Sequence, residues 1–233
     1  MKCIIMVRRR KNIPPPPPPP FLGGSSTSSS RSSDVRTSMR SGKILSIPAD
    51  ALVYMFPEYF AKKATFGGFK APYANVKVSH NSLFKSMVTA TLAYLLHSGV
   101  AMAKLIKVGR IFKHEEIVLV KLKQFRQSDY GVLAWCLGGK NTREAKLVNC
   151  VMSVIGSDKS SPDKEYIRTV YNYSVKKHVK IRSNLDLEKY RREAQQLYSI
   201  WIQQKQAYPR IYYVAEDNAM RAANACKPRD YDY

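Results

Sequence analysis

The sequence predicts an α+β fold: a single compact domain over residues 44–226, built as a small mixed sheet with packed helices. A disordered basic arm, rich in proline and serine, precedes it over 1–43, and an exposed tail follows over 227–233. Three observations carry this reading. Around Val118, Val120 and Leu122, apolar residues alternate with Lys121 and Lys123, the period of a half-buried strand. Leu187, Tyr190, Ala194, Leu197 and Trp201 recur at three- and four-residue intervals, the period of a helix. Composition changes abruptly near residue 44, where prolines, serines and arginines give way to aliphatic and aromatic residues. The whole chain has 233 residues, of which 45% are hydrophobic, enough to build a real core and too many for a wholly disordered basic condenser.

The arm begins with Met1 to Val7, too short an apolar run for a signal-peptide core, and meets Arg8, Arg9, Arg10 and Lys11. Pro14, Pro15, Pro16, Pro17, Pro18, Pro19 and Pro20 follow and favour a stiff polyproline II rod. The Ser/Thr tract beyond buries too little apolar surface to order itself. Nine Lys/Arg and one acid, Asp34, fall in the arm, so about a third of the net charge of +22 resides there.

Within the domain, residues 51–60 form an aromatic-rich segment broken at Pro57, followed by a Gly67-Gly68 turn. Asn75–Val78 reads as a short strand. Ser82 is placed to cap a helix from Leu83 to about Leu96, apolar on nearly every side, with Gly99 ending it. The uncharged stretch from Ser86 to Ala103 approaches the ~18 residues needed to span a membrane, but its Ser, Thr, His and Gly residues favour a buried core helix. Glu115–Lys123 is a strand. Val132–Leu137, bounded by Gly131 and Gly138-Gly139, reads as a short strand buried on both faces. Asn141 and Glu144 have capping-box spacing ahead of a helix through Leu147, Val151 and Ile155. Ser161-Pro162-Asp163 opens a helix, and the alternation from Val170 to Val175 is read as a strand. Asn184 caps a helix from Leu185 to about Gln206 that Pro209 stops. A strand over Arg210–Val214 and an Asp217-capped helix over Asn218–Cys226 complete the order.

Cys3, Cys136, Cys150 and Cys226 include no CxxC, and His80, His97, His114 and His178 do not flank them, so no zinc site is expected. The thiols are expected to be reduced and structural. No P-loop, GxGxxG, GxSxG, HExxH or DxD pattern occurs, and Glu115-Glu116 point to opposite faces of their strand. Gly138–Thr142 resembles a phosphate loop only in its glycines and reads as a plain turn. Hence no catalytic residue, no metal and no cofactor is expected.

Basic residues carry the informative signal. Nine Lys/Arg and no acid lie between Glu58 and Glu115, among them Lys62, Lys63, Lys70 and Lys77. A second acid-free window holds Arg168, Lys176, Lys177, Lys180 and Arg182. Windows of one sign imply a directed field and a polyanionic partner, either nucleic acid or an anionic membrane. Tyrosines near these charges, including Tyr171 and Tyr173, suit base stacking, or else packing in the core or at a protein interface. Phe66-Gly67-Gly68-Phe69-Lys70 sets two phenylalanines on a glycine loop between lysines, which fits either a membrane anchor or a buried turn. The proline run is a linker or a ligand for SH3, WW or EVH1-type host domains.

A basic N-terminus, a proline cluster and then a basic α+β domain resembles, in that order, the matrix proteins of rhabdoviruses. The best local likeness is Val76–Phe84, a strand running through a polar turn into an apolar helix. The resemblance implies a non-enzymatic virion structural protein that bridges the inner face of the envelope and the nucleocapsid, self-associates, and supports budding through the proline run. The family's PPxY motif has no counterpart, since Pro20 is followed by Phe21-Leu22. Residence in the virion and host cytoplasm follows from the same resemblance, and Arg8–Lys11 would allow nuclear import. The alternative is a viral coat protein or nucleoprotein that packages single-stranded RNA. Self-association would use the Leu187–Trp201 seam or the proline arm, although core packing explains the seam more simply.

Overall fold

The computed structural model describes residues 45–109 and 113–228. Arg8–Lys11 and Pro14–Pro20, the basic tetrad and the host-recruitment run, lie outside the described residues. The fold is mixed α+β with helices predominating. Its helices are α1 (Ala49–Met55), α2 (His80–His97), α3 (Leu147–Ile155), α4 (Pro162–Val170), α5 (Lys176–His178), α6 (Asn184–Ala207) and α7 (Pro209–Ala225). Strands β1 (Phe69–Lys70) and β2 (Lys77–Val78) form an antiparallel hairpin. Strands β3 (Ala101–Val108), β4 (His114–Lys121) and β5 (Glu144–Lys146) form an antiparallel sheet in that order. Both sheets are antiparallel throughout, where a mixed sheet was expected.

Helix α2 is the centre of the core. From Leu83 to Leu95 nearly every side chain is buried except Lys85, because α1, α4, α6, α7 and β3 pack around it. A helix apolar on all sides needs such a cage to be stable in water. Among the described residues no helix is long and apolar enough to cross a membrane. The uncharged Ser86–Ala103 stretch divides at Gly99, whose φ of +61° turns the chain from α2 into β3. Ser79, not Ser82, caps α2: its Oγ accepts from the Ser82 N–H at 3.5 Å.

β5 pairs only with Val118–Val120, leaving the outer edge of β4 at Glu115–Ile117 without a strand beside it. Asn218 of α7 fills that place. Its Oδ1 accepts from the Ile117 N–H at 2.9 Å and its Nδ2 donates to the Glu115 carbonyl at 3.0 Å. A side-chain amide thus takes the pairing that a fourth residue of β5 would otherwise supply.

Several expected elements are replaced. Val132–Leu137 is a 3-10 helix. β5 and Asn218 take the side of β4 away from β3, so this segment does not pair with β4. Its backbone is held instead by Asp50 of α1, whose Oδ2 accepts from the Val132 N–H at 2.8 Å. Residues 171–175 form a π-helical turn that joins α4 to α5, not a strand. The apparent alternation fails because Tyr171 and Tyr173 are exposed while Ser174 and Val175 are buried. Arg210–Val214 is the first part of α7, opened by Pro209 at its first position. Glu144 lies in β5 and caps nothing. Ser183, not Asn184, caps α6. Finally, Cys136 and Cys150 are joined in a disulfide with Cα atoms 5.2 Å apart, which corrects the expectation of reduced thiols at these two positions. The 3-10 turn and α3 pack together and bring the two sulfurs into contact, a proximity that a 14-residue spacing does not reveal.

Candidate polyanion interface

The hairpin β1–β2 gathers the first group of lysines. Its register places Lys70 directly opposite Lys77 and Phe69 opposite Val78. On the far side of β2, Lys63 bridges to Val78, the Ala64 N–H donates to the Lys77 carbonyl at 2.9 Å, and the Ser79 N–H donates to the Lys62 carbonyl at 3.0 Å. The Lys62 N–H in turn donates to Ser82 Oγ at 2.9 Å. Three short extended pieces therefore lie side by side, carrying Lys62, Lys63, Lys70 and Lys77. All four side chains are exposed, and none has an ion-pair partner among the described residues. Like charges directly across a strand pair are repulsive.

The loop joining these pieces needs glycine. Gly67 and Gly68 have φ of +64° and +97°, and a Cβ on Gly68 would sit 2.5 Å from the Val78 carbonyl oxygen. This geometry separates the two phenylalanines. Phe69 turns inward, its ring 4.9 Å from Tyr54 and 6.4 Å from His80. Phe66 turns out and is 95% exposed, the most exposed large apolar side chain among the described residues. A full phenyl ring is thus held in water on a loop bracketed by four lysines that have no ion-pair partner among the described residues.

Lys176, Lys177 and Lys180 sit elsewhere, on α5 and the chain just after it. All three are exposed. Lys177 Nζ lies 4.4 Å above the Tyr173 ring, and Tyr173 meets Trp135 edge-on at 4.9 Å. The two basic groups are on separate elements. Between them runs an aromatic chain, in which Phe69 contacts Tyr54 and Tyr54 lies 5.6 Å from Tyr171. A shallow cleft of about 270 Å³ follows that chain and adds Lys164 and Arg168.

The lysines of the three-stranded sheet behave differently. Lys104 pairs with Glu144 at 3.4 Å, and Lys107 stands opposite Glu115, which also holds Arg210. Lys146 binds Glu116 at 2.9 Å, with His114 on the other oxygen. Burial pushes the Glu116 carboxyl up, but these two hydrogen bonds more than offset it and leave the group below its ordinary value. The Arg210 hydrogen bond lowers Glu115 likewise. A window free of acids in sequence is therefore not free of acids in space along its whole length, and Lys104 and Lys107 meet carboxylates that the hairpin lysines do not. The Leu187–Trp201 seam is spent on the core, with Tyr190, Ala194, Leu197 and Trp201 buried as α6 packs on α1 and α2. Lys205 escapes sequence reasoning, and Lys85, a member of the first acid-free window, joins it beside Lys62 only through the packing of α2 and α6. Among the described residues no cluster of three or more His, Cys, Asp or Glu is placed to hold a metal ion.

Comparison with protein-family models, with curated proteins and with solved structures finds no match to this chain.

Proposed function

We propose that this chain is a non-enzymatic viral matrix-type structural protein, which bridges the inner face of an envelope and the ribonucleoprotein and supports assembly and budding. One observation carries the membrane half of this reading: Phe66 projects into water beside Lys62, Lys63, Lys70 and Lys77, none of them ion-paired among the described residues. Each lysine near an anionic bilayer contributes about 1 kcal/mol, and a buried phenyl ring adds about 2 kcal/mol. Together they make a peripheral, salt-sensitive attachment. Self-association, recruitment of SH3, WW or EVH1-type host domains by the proline run, and residence in the virion and host cytoplasm extend the same reading and rest on the resemblance.

A second reading, coat protein or nucleoprotein packaging single-stranded RNA, is favoured by the α5 region. There Tyr171 and Tyr173 are exposed, and Lys176, Lys177 and Lys180 lie beside them, an arrangement that stacks bases while neutralising phosphates. Flotation with phosphatidylserine vesicles, beside a gel shift with single-stranded RNA, separates the two across a salt series. The matrix reading expects flotation that survives deletion of residues 1–43. Steep salt-dependent RNA binding with no flotation would instead select the packaging protein.

A further inference from the structure

Next to the hairpin, a pocket of about 350 Å³ opens where the chain after Phe60 meets the first turn of α2 and the packed helices α6 and α7. Lys62, Lys85 and Lys205 line it, Phe60 and Trp201 give it an apolar wall, and Glu216 is its single carboxylate. Glu216 is already taken by Lys205 at 3.1 Å, and the same ammonium lies 4.7 Å above the Trp201 ring. Lys62 and Lys85 have no ion-pair partner among the described residues. The pocket is thus short of negative charge. Short polar groups complete it: the hydroxyls of Ser79 and Ser82 and the amide of Asn81. Its volume is far larger than one phosphate needs and suits a six-membered polar ring besides, whose C–H faces would lie on Trp201 and Phe60.

We propose that this pocket binds the phosphomonoester-bearing headgroup of an anionic lipid of the phosphoinositide class. The proposal deepens the membrane reading and rests on it for the source of the ligand. Lys62, whose carbonyl accepts from the Ser79 N–H just after β2, belongs to both the pocket and the lysine cluster around Phe66, so headgroup capture and ring insertion lie side by side. A phosphomonoester fits better than a phosphodiester because two uncompensated lysines match its roughly two negative charges.

The test uses the full chain and soluble inositol 1,4,5-trisphosphate as probe, measured by calorimetry. Flotation runs in parallel on vesicles of matched charge that contain either phosphatidylserine or phosphatidylinositol 4,5-bisphosphate. Saturable one-to-one binding of the trisphosphate is expected, weakened about tenfold by Lys85→Gln, the loss of one charge-assisted contact. Asn81→Asp adds an acid to the first turn of α2, which favours the helix, so a loss of trisphosphate binding with an undiminished melting temperature is expected. Lys77→Gln should leave trisphosphate affinity unchanged and weaken flotation on phosphatidylserine. Vesicles with the bisphosphate should bind more tightly than those of equal charge without it. The proposal is overturned if the trisphosphate does not saturate, if both pocket variants bind like the parent, or if inorganic phosphate competes as well as the trisphosphate. Flotation on phosphatidylserine without trisphosphate binding removes the pocket and leaves the membrane reading intact. Trisphosphate binding without flotation on any vesicle removes the membrane reading and, with it, the lipid as source.

Discussion

Two lysine-rich regions of this molecule treat the same side chain in opposite ways. In the three-stranded sheet, Lys104, Lys107 and Lys146 each face a carboxylate, on Glu144, Glu115 and Glu116 in turn. In the hairpin, Lys70 faces Lys77, and the glutamates stay away. The first arrangement lowers the energy of the folded chain by small amounts, since exposed pairs contribute at most about 1 kcal/mol each. The second raises it. A pairing that costs the fold stability, and that sits beside a fully exposed phenyl ring, is better explained by what it meets than by what it holds together. Surface charge is structural where it is answered within the chain, and addressed outward where it is not.

The largest expected effect calibrates stability apart from both regions. Asp50 is wholly buried, and burial pushes its carboxyl up to about 6 from 3.8, against the lowering pull of the Val132 N–H. An acid whose folded value is raised resists ionisation, so stability falls as pH rises from about 4 to about 6 and the deficit persists above. The deficit is about 3 kcal/mol. Asp50→Asn keeps an acceptor for Val132 and should raise the denaturation midpoint at pH 7 while flattening the pH 4–6 dependence relative to the parent. Flotation should be unchanged. An unaltered pH profile in urea titrations would reject this account of Asp50.

Next in size is an attack on the sheet. Asn218→Ala strips the Ile117 N–H and the Glu115 carbonyl of their partner, and leaving such buried groups unpaired costs about 2–3 kcal/mol. Chemical denaturation should report that loss with no change in vesicle affinity. If binding fell in step with stability, the division between a structural sheet and an outward-facing hairpin would collapse.

Lys77→Glu sharpens the comparison most directly, because it gives the hairpin the chemistry of the sheet. An opposite-charge pair across the strands should stabilise the fold by about 0.5 kcal/mol. Vesicle affinity should drop by about 2 kcal/mol, roughly thirtyfold, for the charge removed and the charge added. Phe66→Ser should then cost slightly less binding, about 1–2 kcal/mol, with no loss of melting temperature, since the ring touches water in the free protein. Smallest of all, Lys104→Gln should shift stability by less than about 0.5 kcal/mol and leave flotation as it was.

Much of this frame is legible in the sequence. The all-round apolar α2, the regular spacing of α6 and the alternation in β4 are strong local signals, and packing obeys them. The lysines of the hairpin and the Phe66-Gly67-Gly68-Phe69 loop also stand out before any coordinates do. What escapes is decided by partners distant in the chain. Val132–Leu137 has the composition of a buried strand, but β5 and Asn218 occupy the edge it would need. Tyr171–Val175 alternates in polarity only on paper. In space Tyr171 lies on Tyr54 and Tyr173 on Trp135, at the surface of a widened helical turn. Pro209 reads as a stop because proline ends α6, yet the same missing N–H starts α7 one residue on. The pocket of Lys62, Lys85 and Lys205 is built from three elements, and no window of sequence holds it.

The face-to-face lysines of the hairpin have one more consequence. Anything anionic that settles between Lys70 and Lys77 removes their repulsion as it binds, so occupancy and folding reinforce each other by mass action. An occupant present at a hundred times its dissociation constant would add about 2.7 kcal/mol to the unfolding free energy. The chain would therefore be at its most heat- and protease-resistant with an anion bound there and at its softest without one. Its durability would then report whether that site is occupied.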